Sequence, residues 1–390
     1  MDSKYQEYLP WLALKNIPGV GNYLYKRLID RFGSPDAVFN ADKNELKKIK
    51  GITSKAVNGI ISCRSFPCKL FDRAKAELDI IQKKGFNIVT MNDPLYPCLL
   101  RHIPDPPAFL TCIGDLDNIY PCISIVGSRK ASSYGLKVAW ELSCDLASMG
   151  FRIVSGMARG IDSAAHKAAL KVKGKTTAVL GTGLGRIYPA ENRKLFHDIA
   201  DHGAIISEFN VNTGPDGRNF PIRNRIISGM STGTIVVEAA ARSGSLITAR
   251  LAAEYGREVF AVPGSIHSFK SMGTHDLLKH GAKLVENYRD VIEELGHMVH
   301  LEQFSKIPLK SDIPHKQNVI KKDLSPESAK NKYQRTILKI MEPYPQHIDT
   351  IIEKSGMDAG GISAALLDME LNGIIKQSPG KLFYIIETKN

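Results

Sequence analysis

Between residues 218 and 225 three guanidinium groups, Arg218, Arg223 and Arg225, surround a single ring, Phe220, with Asn219 and Asn224 in the same run. Guanidinium groups pair with phosphates, and an aromatic ring offers a face on which an unpaired base can stack. That combination suits a single-stranded nucleic acid. The same residues allow a plainer reading, in which Phe220 belongs to the core and the arginines are solvated. A short apolar run, Thr234 to Val237, follows and ends at Glu238, and a turn at Ser243-Gly244-Ser245 opens a further helical pattern.

Something must carry these residues to a common rim, and the chain from Cys122 onward supplies it. CISIVGS, FRIVSG, TTAVLGTG, AIISE, TIVVEA and EVFAVPG are short β-branched runs, each followed by a helical pattern, and AKLV is a last edge strand. Such alternation specifies an α/β fold, a Rossmann-like doubly wound and mostly parallel sheet covered on both faces. In that architecture a ligand lies beyond the carboxyl ends of the strands. The first end reads Gly127-Ser128-Arg129-Lys130. The second reads Ser155-Gly156-Met157-Ala158-Arg159-Gly160, and the third Gly181-Thr182-Gly183-Leu184-Gly185 followed by Arg186. Glycine lets a backbone approach a ligand closely, and the helix N-termini that follow offer free amides to an anion. Glycine at a strand end also simply turns the chain, but the accompanying arginines favour an anion-binding crevice.

The flanks are of other kinds. Residues 1–64 read as a helical module in which Ile17-Pro18-Gly19-Val20-Gly21 and Ile49-Lys50-Gly51-Ile52-Thr53 interrupt apolar helical spacing, as in a helix-hairpin-helix (SAM-like) tandem. Hairpins of this kind present helix amides to phosphate or serve as packing modules. Residues 65–115 read as a connector with two short strands, which leads into the sheet, so the extended central domain spans 65–295. Residues 296–331 are polar and lysine-rich and read as a flexible linker. Residues 332–390 give three helices and a hairpin, the order of a winged helix. Positions 361–373, its recognition helix, hold no Lys or Arg, so a protein contact there is at least as good a reading as base recognition.

Composition bounds the function. A chain of 390 residues with 43% apolar residues and a net charge of +12 has room for several domains and suits a polyanionic partner. Six cysteines lie at no zinc spacing and read as reduced and unpaired. Neither a leader nor a membrane-length apolar run is evident, which points to the cytoplasm, and no metal or cofactor is expected. Gly174-Lys175-Thr176 has Ala169 where a P-loop needs glycine, and it runs from helix to strand. Gly229 to Gly233 spells G-x-S-x-G but lies between a helix and a strand in the wrong order for a nucleophile elbow. Asp162 and His166, four apart on a helix, are spaced for a contact on one face, a pairing suited to fixing the helix N-terminus more than to acid and base work.

The blocks VGSR at 126–129, SGMARGIDSAAHKAAL at 155–170, TAVLGTGL at 177–184, YPAEN at 188–192, ISEF at 206–209, NFPIRNRIISG at 219–229 and VVEAAARSGSLITAR with GREVFAVPG stand in one order. In that order the span 125–284 resembles the DprA (Smf) family of bacterial DNA-processing proteins. The resemblance implies a homodimeric protein that binds single-stranded DNA without chemistry, protects incoming strands in natural transformation and delivers them to the RecA recombinase. It also implies that Arg129, Phe220, Arg223 and Arg225 line the DNA pocket. The likeness departs at Gly185-Arg186, where the family usually carries an acidic residue. A competing likeness, Gly233-Thr234 followed by Glu238, is to phosphoribohydrolases that process nucleotides on a related Rossmann-like fold; here the paired glycines are missing and the spacing is one residue longer.

Overall fold

The apolar runs become strands, and their side chains sort to opposite faces with a period of two. The computed structural model describes residues 3–64, 68–296, 332–341, 346–378 and 380–385. The stretch expected to be a linker lies outside the described residues, apart from Gly296. Two compact units meet in the chain at Ile307 and Pro308.

In the first unit nine strands form one sheet. They are β1 (Asn87–Thr90), β2 (Phe109–Gly114), β3 (Cys122–Gly127), β4 (Arg152–Ser155), β5 (Thr176–Val179), β6 (Ala204–Ser207), β7 (Gly233–Val237), β8 (Glu258–Ala261) and β9 (Lys283–Leu284). Their order is β1-β2-β6-β5-β4-β3-β7-β8-β9. Strands β3 to β9 are parallel, whereas β1 and β2 add an antiparallel edge. The chain therefore winds outward from β3 to β6, then returns to place β7 on the other side of β3. That reversal between β3 and β7 is the switch point at which an open α/β sheet leaves a crevice.

The two-face pattern is visible residue by residue. Ile123, Ile125, Ile153, Ile235 and Val237 join a core under the helices Ser133–Ser148, Ile161–Lys171 and Tyr288–Leu295. Val126, Val154, Val179 and Val236 turn the other way and meet Ile226, Ile227 and Ala249 of the helices Asn219–Gly229 and Gly244–Glu254. The same second core runs on without a break into Trp11, Leu28 and Ile60 of the N-terminal helices. The helical module and the sheet thus share one interior. Gly19 and Gly51 stand at φ 92 and 87°, the left-handed backbone that both of its hairpins require.

The connector differs from its expectation. It begins with a 15-residue helix, Lys69–Lys83, whose buried Ala74, Leu78 and Ile81 recur at i, i+4 and i+7. Its two strands are β1 and β2 of the main sheet. The expectation of six reduced cysteines is also corrected: Cys63 and Cys68 form a disulfide, while Cys98, Cys112, Cys122 and Cys144 are free. The end of one helix and the start of the next bring that pair together, and Arg64 between them donates to the carbonyls of Phe39 and Ala41.

In the second unit the helices Lys332–Ile340, Ile348–Ser355 and Ala359–Leu371 pack through Ile337, Ile351, Leu366 and Met369 onto a small sheet of Gln346–His347, Ile375–Ser378 and Leu382–Ile385. This is a winged helix. Its third helix exposes Leu367 and Leu371 where a base reader would carry cations. Among the described residues no helix is long and apolar enough to cross a membrane, and no cluster of three metal-ligating side chains occurs.

Candidate nucleic-acid interface

The loops after β3, β4, β5, β6, β7 and β8 all reach one crevice of about 960 Å³ at the carboxyl edge of the sheet. From β3 come Gly127, Ser128, Arg129 and Lys130; from the helix after β6 come Phe220, Arg223 and Asn224; from the turn after β7 come Ser243 and Gly244. Residues nearly 120 positions apart are thereby brought together, as the strand-end reading requires.

Phe220 is the centre of the arrangement. It starts the helix Asn219–Gly229, half-buried, with the exposed Arg129 guanidinium 5.2 Å from its ring centroid and that of Arg223 at 5.9 Å. Tyr188, on the loop after β5, lies 5.8 Å from it at a tilt of 42°. The ring is neither wholly core nor free. It rests on Gly181, where an added Cβ would stand 2.7 Å from the ring edge.

The guanidinium groups separate into three kinds. Arg129 is exposed and open to the crevice. Arg223 is buried to 4% exposure, lines the crevice floor and donates to the carbonyls of Gly156, at 2.7 Å, and Val179. Burial pushes Arg223 down to about 10, which leaves it charged at neutral pH. Arg225 lies away from the crevice: it pairs with Glu208 and Asp105, and donates to the Asp105 carbonyl at 2.6 Å. Its inclusion among ligand-facing groups is therefore corrected. A second cation, Lys15 of the helical module, donates to the Glu208 carbonyl, and Asn22 donates to the Glu208 carboxylate at 3.3 Å. Burial lowers the Lys15 ammonium from its ordinary value. This cluster fastens the rear of the helix Asn219–Gly229 to the N-terminal module.

Other candidates stand outside the crevice lining. Arg159 pairs with Glu191 on the surface, Arg218 pairs with Asp216 at 2.6 Å, and Arg186 is exposed on the loop after β5. Asn219 begins the helix that carries Phe220 but does not line the crevice. Two glycines serve the protein's own side chains and backbone. Gly156 makes room for the Arg223 guanidinium, and Gly160, at φ 73°, lets the Ser128–Arg129 backbone pack against it. The close approach expected of a ligand at both positions is made by the protein's own groups.

Sequence reasoning did not single out Tyr188, Arg242, Thr248, Phe269 and Lys270, which complete the crevice wall. Arg242 had a usable signal, since it directly precedes the Ser243–Ser245 turn. Phe269 and Lys270 lie beyond the β8 strand and had none. One acid, Asp162, lines the crevice among the described residues, and its carboxylate accepts the amides of Gly156 and Ala158 at 3.1 and 3.4 Å. Burial raises that carboxyl against the pull of Arg223. The expected Asp162–His166 contact is absent from these bonds: His166 instead shares a 2.7 Å bond with Thr176 Oγ1, and burial pushes it down to about 3, so it is neutral.

Glu238, the acid of the phosphoribohydrolase likeness, has φ 54° and accepts from the amide of Ser132 at 2.8 Å and from its hydroxyl. It steadies the start of the helix Ser133–Ser148 and does not line the crevice.

With this geometry established, likeness to known proteins can be placed on it. The family described as DNA recombination-mediator protein A matches residues 87–296, the DprA winged helix domain 322–381, and the SAM-like helix-hairpin-helix tandem 12–63. Protein Smf of Synechocystis is 35% identical over 95% of this chain and 96% of its own length. The crystal structure of DNA processing protein A from Streptococcus pneumoniae superposes with a TM-score of 0.64 at 37% identity, covering 75% of this chain and 98% of that one. A structure of the Helicobacter pylori protein, which concerns its single-stranded DNA binding mode, matches at a TM-score of 0.50 and 32% identity, covering 55% of this chain and 97% of that one.

Proposed function

The chain belongs to the DNA recombination-mediator protein A (DprA, Smf) family, and on that premise we propose that it binds single-stranded DNA in the crevice between β3 and β7 and passes it to the RecA recombinase without itself catalysing a reaction. The observation that carries the reading is the stack of Arg129 over Phe220 at 5.2 Å, beside an open crevice with further cations from Lys130, Arg242 and Lys270. Phosphates meet the exposed cations, and a base takes the free face of the ring. Arg223 acts from the floor, fixing the ring and contributing charge. The single-strand subject of the Helicobacter pylori structure supports the same assignment. Work in the cytoplasm as a homodimer, in the uptake and recombination of DNA, follows from the family resemblance.

A salt titration of oligothymidylate binding tests this directly. Each phosphate contact on a single strand contributes about −0.7 to the slope of log affinity against log salt. Arg129→Ala is expected to reduce that slope by about one such contact and to weaken mixed-sequence strands as much as oligothymidylate, since phosphate and stacking contacts read no bases. Affinity indifferent to salt would remove the proposal. Delivery is tested separately, by whether the protein speeds RecA assembly on a strand already covered by single-strand-binding protein.

Gly181→Ala offers a test that touches no proposed ligand contact. Its methyl group would press on the Phe220 ring at 2.7 Å and displace it. Weaker oligothymidylate binding with the melting temperature nearly retained is the expected result, because a half-buried ring can swing outward. Equal affinity would mean that the ring position is unimportant.

A further inference from the structure

The crevice has two dissimilar walls. One carries Phe220, Tyr188 and Arg129 and is mainly aromatic and cationic. The other is the start of the 11-residue helix Gly244–Glu254, with Arg242, Ser243, Ser245 and Thr248. A helix start leaves its first amides without intrahelical partners, and its partial positive charge favours an anion. The second wall carries a further sign of a ligand. Thr248 is 1% exposed and lines the crevice, yet among the described residues its hydroxyl has no hydrogen-bond partner. It lies four residues after Gly244, on the same side of the helix, and helical side chains lean toward the N-terminus. Its hydroxyl therefore joins the amide of Gly244 on one small target. The Ser243 and Ser245 hydroxyls bond each other at 2.7 Å, so between them one proton remains to donate. Arg242 is exposed next to them, and among the described residues it makes no ion pair.

Resting on the single-strand reading of this crevice, the geometry points to a phosphomonoester site on the second wall, which takes a terminal phosphate and not a phosphate within the chain. Two features separate those ligands. A monoester carries between one and two negative charges and three free oxygens, whereas an internal diester carries one charge and two free oxygens. An amide, two hydroxyl donors and a guanidinium match the former. Depth argues the same way. Thr248 and Ser245 are 1% and 8% exposed, so their hydroxyls lie at the bottom of the crevice, where a chain end reaches more readily than a continuous strand that must enter and leave.

The test compares oligothymidylates of one short length bearing a 5′-phosphate, a 3′-phosphate or neither, with dTMP as competitor, against the wild-type chain and Thr248→Val. Valine preserves the shape of Thr248 and removes its hydroxyl. A terminal phosphate is expected to tighten binding by about tenfold or more, the scale of a hydrogen bond to a charged group. Thr248→Val should remove most of that gain, read as the ratio of phosphorylated to unphosphorylated affinity on the same chain. If dTMP competes through the same hydroxyl but neither strand end gains, the monoester is a free nucleotide. If no monoester gains anything, or Thr248→Val leaves the gain intact, the site is overturned, although binding of the unphosphorylated strand would still uphold the single-strand reading. Loss of all strand binding by wild type would instead refute that reading.

Discussion

Phe220→Ala is expected to weaken oligothymidylate binding by about 1 to 3 kcal/mol, roughly five- to 150-fold, the scale of one base stacked on one ring. The ring is half-buried, with Gly181 beneath it and Tyr188 beside it, and Arg129 reaches over it. Truncation therefore removes a stacking face and also frees Arg129 to wander. Phe220→Leu separates these effects, since it keeps apolar volume and loses the π face. Phe220→Tyr should restore most of the affinity. Melting temperature is measured alongside, because some destabilisation accompanies the loss of any partly buried ring. A Phe220→Ala chain that melts normally and binds with wild-type affinity would assign the ring to packing alone.

Arg225→Ala should act in the opposite manner, costing about 3 to 5 kcal/mol of stability while leaving the salt dependence of binding by the folded protein unchanged. Removing one member of a buried ion pair strands the other, and Glu208 is 5% exposed with Oε1 already lacking a partner. Lys15 and Asn22 bond Glu208 from the N-terminal module, so the loss spreads to that contact. Replacing both ends with apolar residues of similar size, Arg225→Met with Glu208→Leu, is expected to recover much of the stability. Urea unfolding of the single and double variants, with strand binding measured well below the transition, checks both halves of the prediction. A fully stable Arg225→Ala chain that binds poorly would return Arg225 to the ligand.

The contrast between these two residues marks how far the sequence could be read. Phe220 and Arg223 are three apart and share a helix face, whereas Arg225 lies five positions on, about 140° around at 3.6 residues per turn. The clustering of charge in one run suggested a common ligand; helical geometry divided it. The strands were legible because β3 to β7 are short apolar runs flanked by glycine, and their carboxyl ends had to lie on one edge. That β1 and β2 pair antiparallel onto β6 depends on contacts between distant segments, which no local pattern contains. The helix Lys69–Lys83 does carry a local signal in Ala74, Leu78 and Ile81, although its surroundings read as a connector with short strands. Gly156 and Gly181 looked like ligand-facing turns, but their neighbours are Arg223 and Phe220, whose arrival from the next crossover could not be foreseen.

The interior shared by the N-terminal helices and the sheet limits how short a working version of this protein can be. A fragment starting at β1 would lay bare the apolar surface that Trp11, Leu12 and Leu14 now cover, and it would take Lys15 away from Glu208. The helix bearing Phe220 would then lose its backing on the side opposite the crevice. Trimming to the sheet alone would thus yield a sticky, loosely held remnant, even though every residue lining the crevice had been kept.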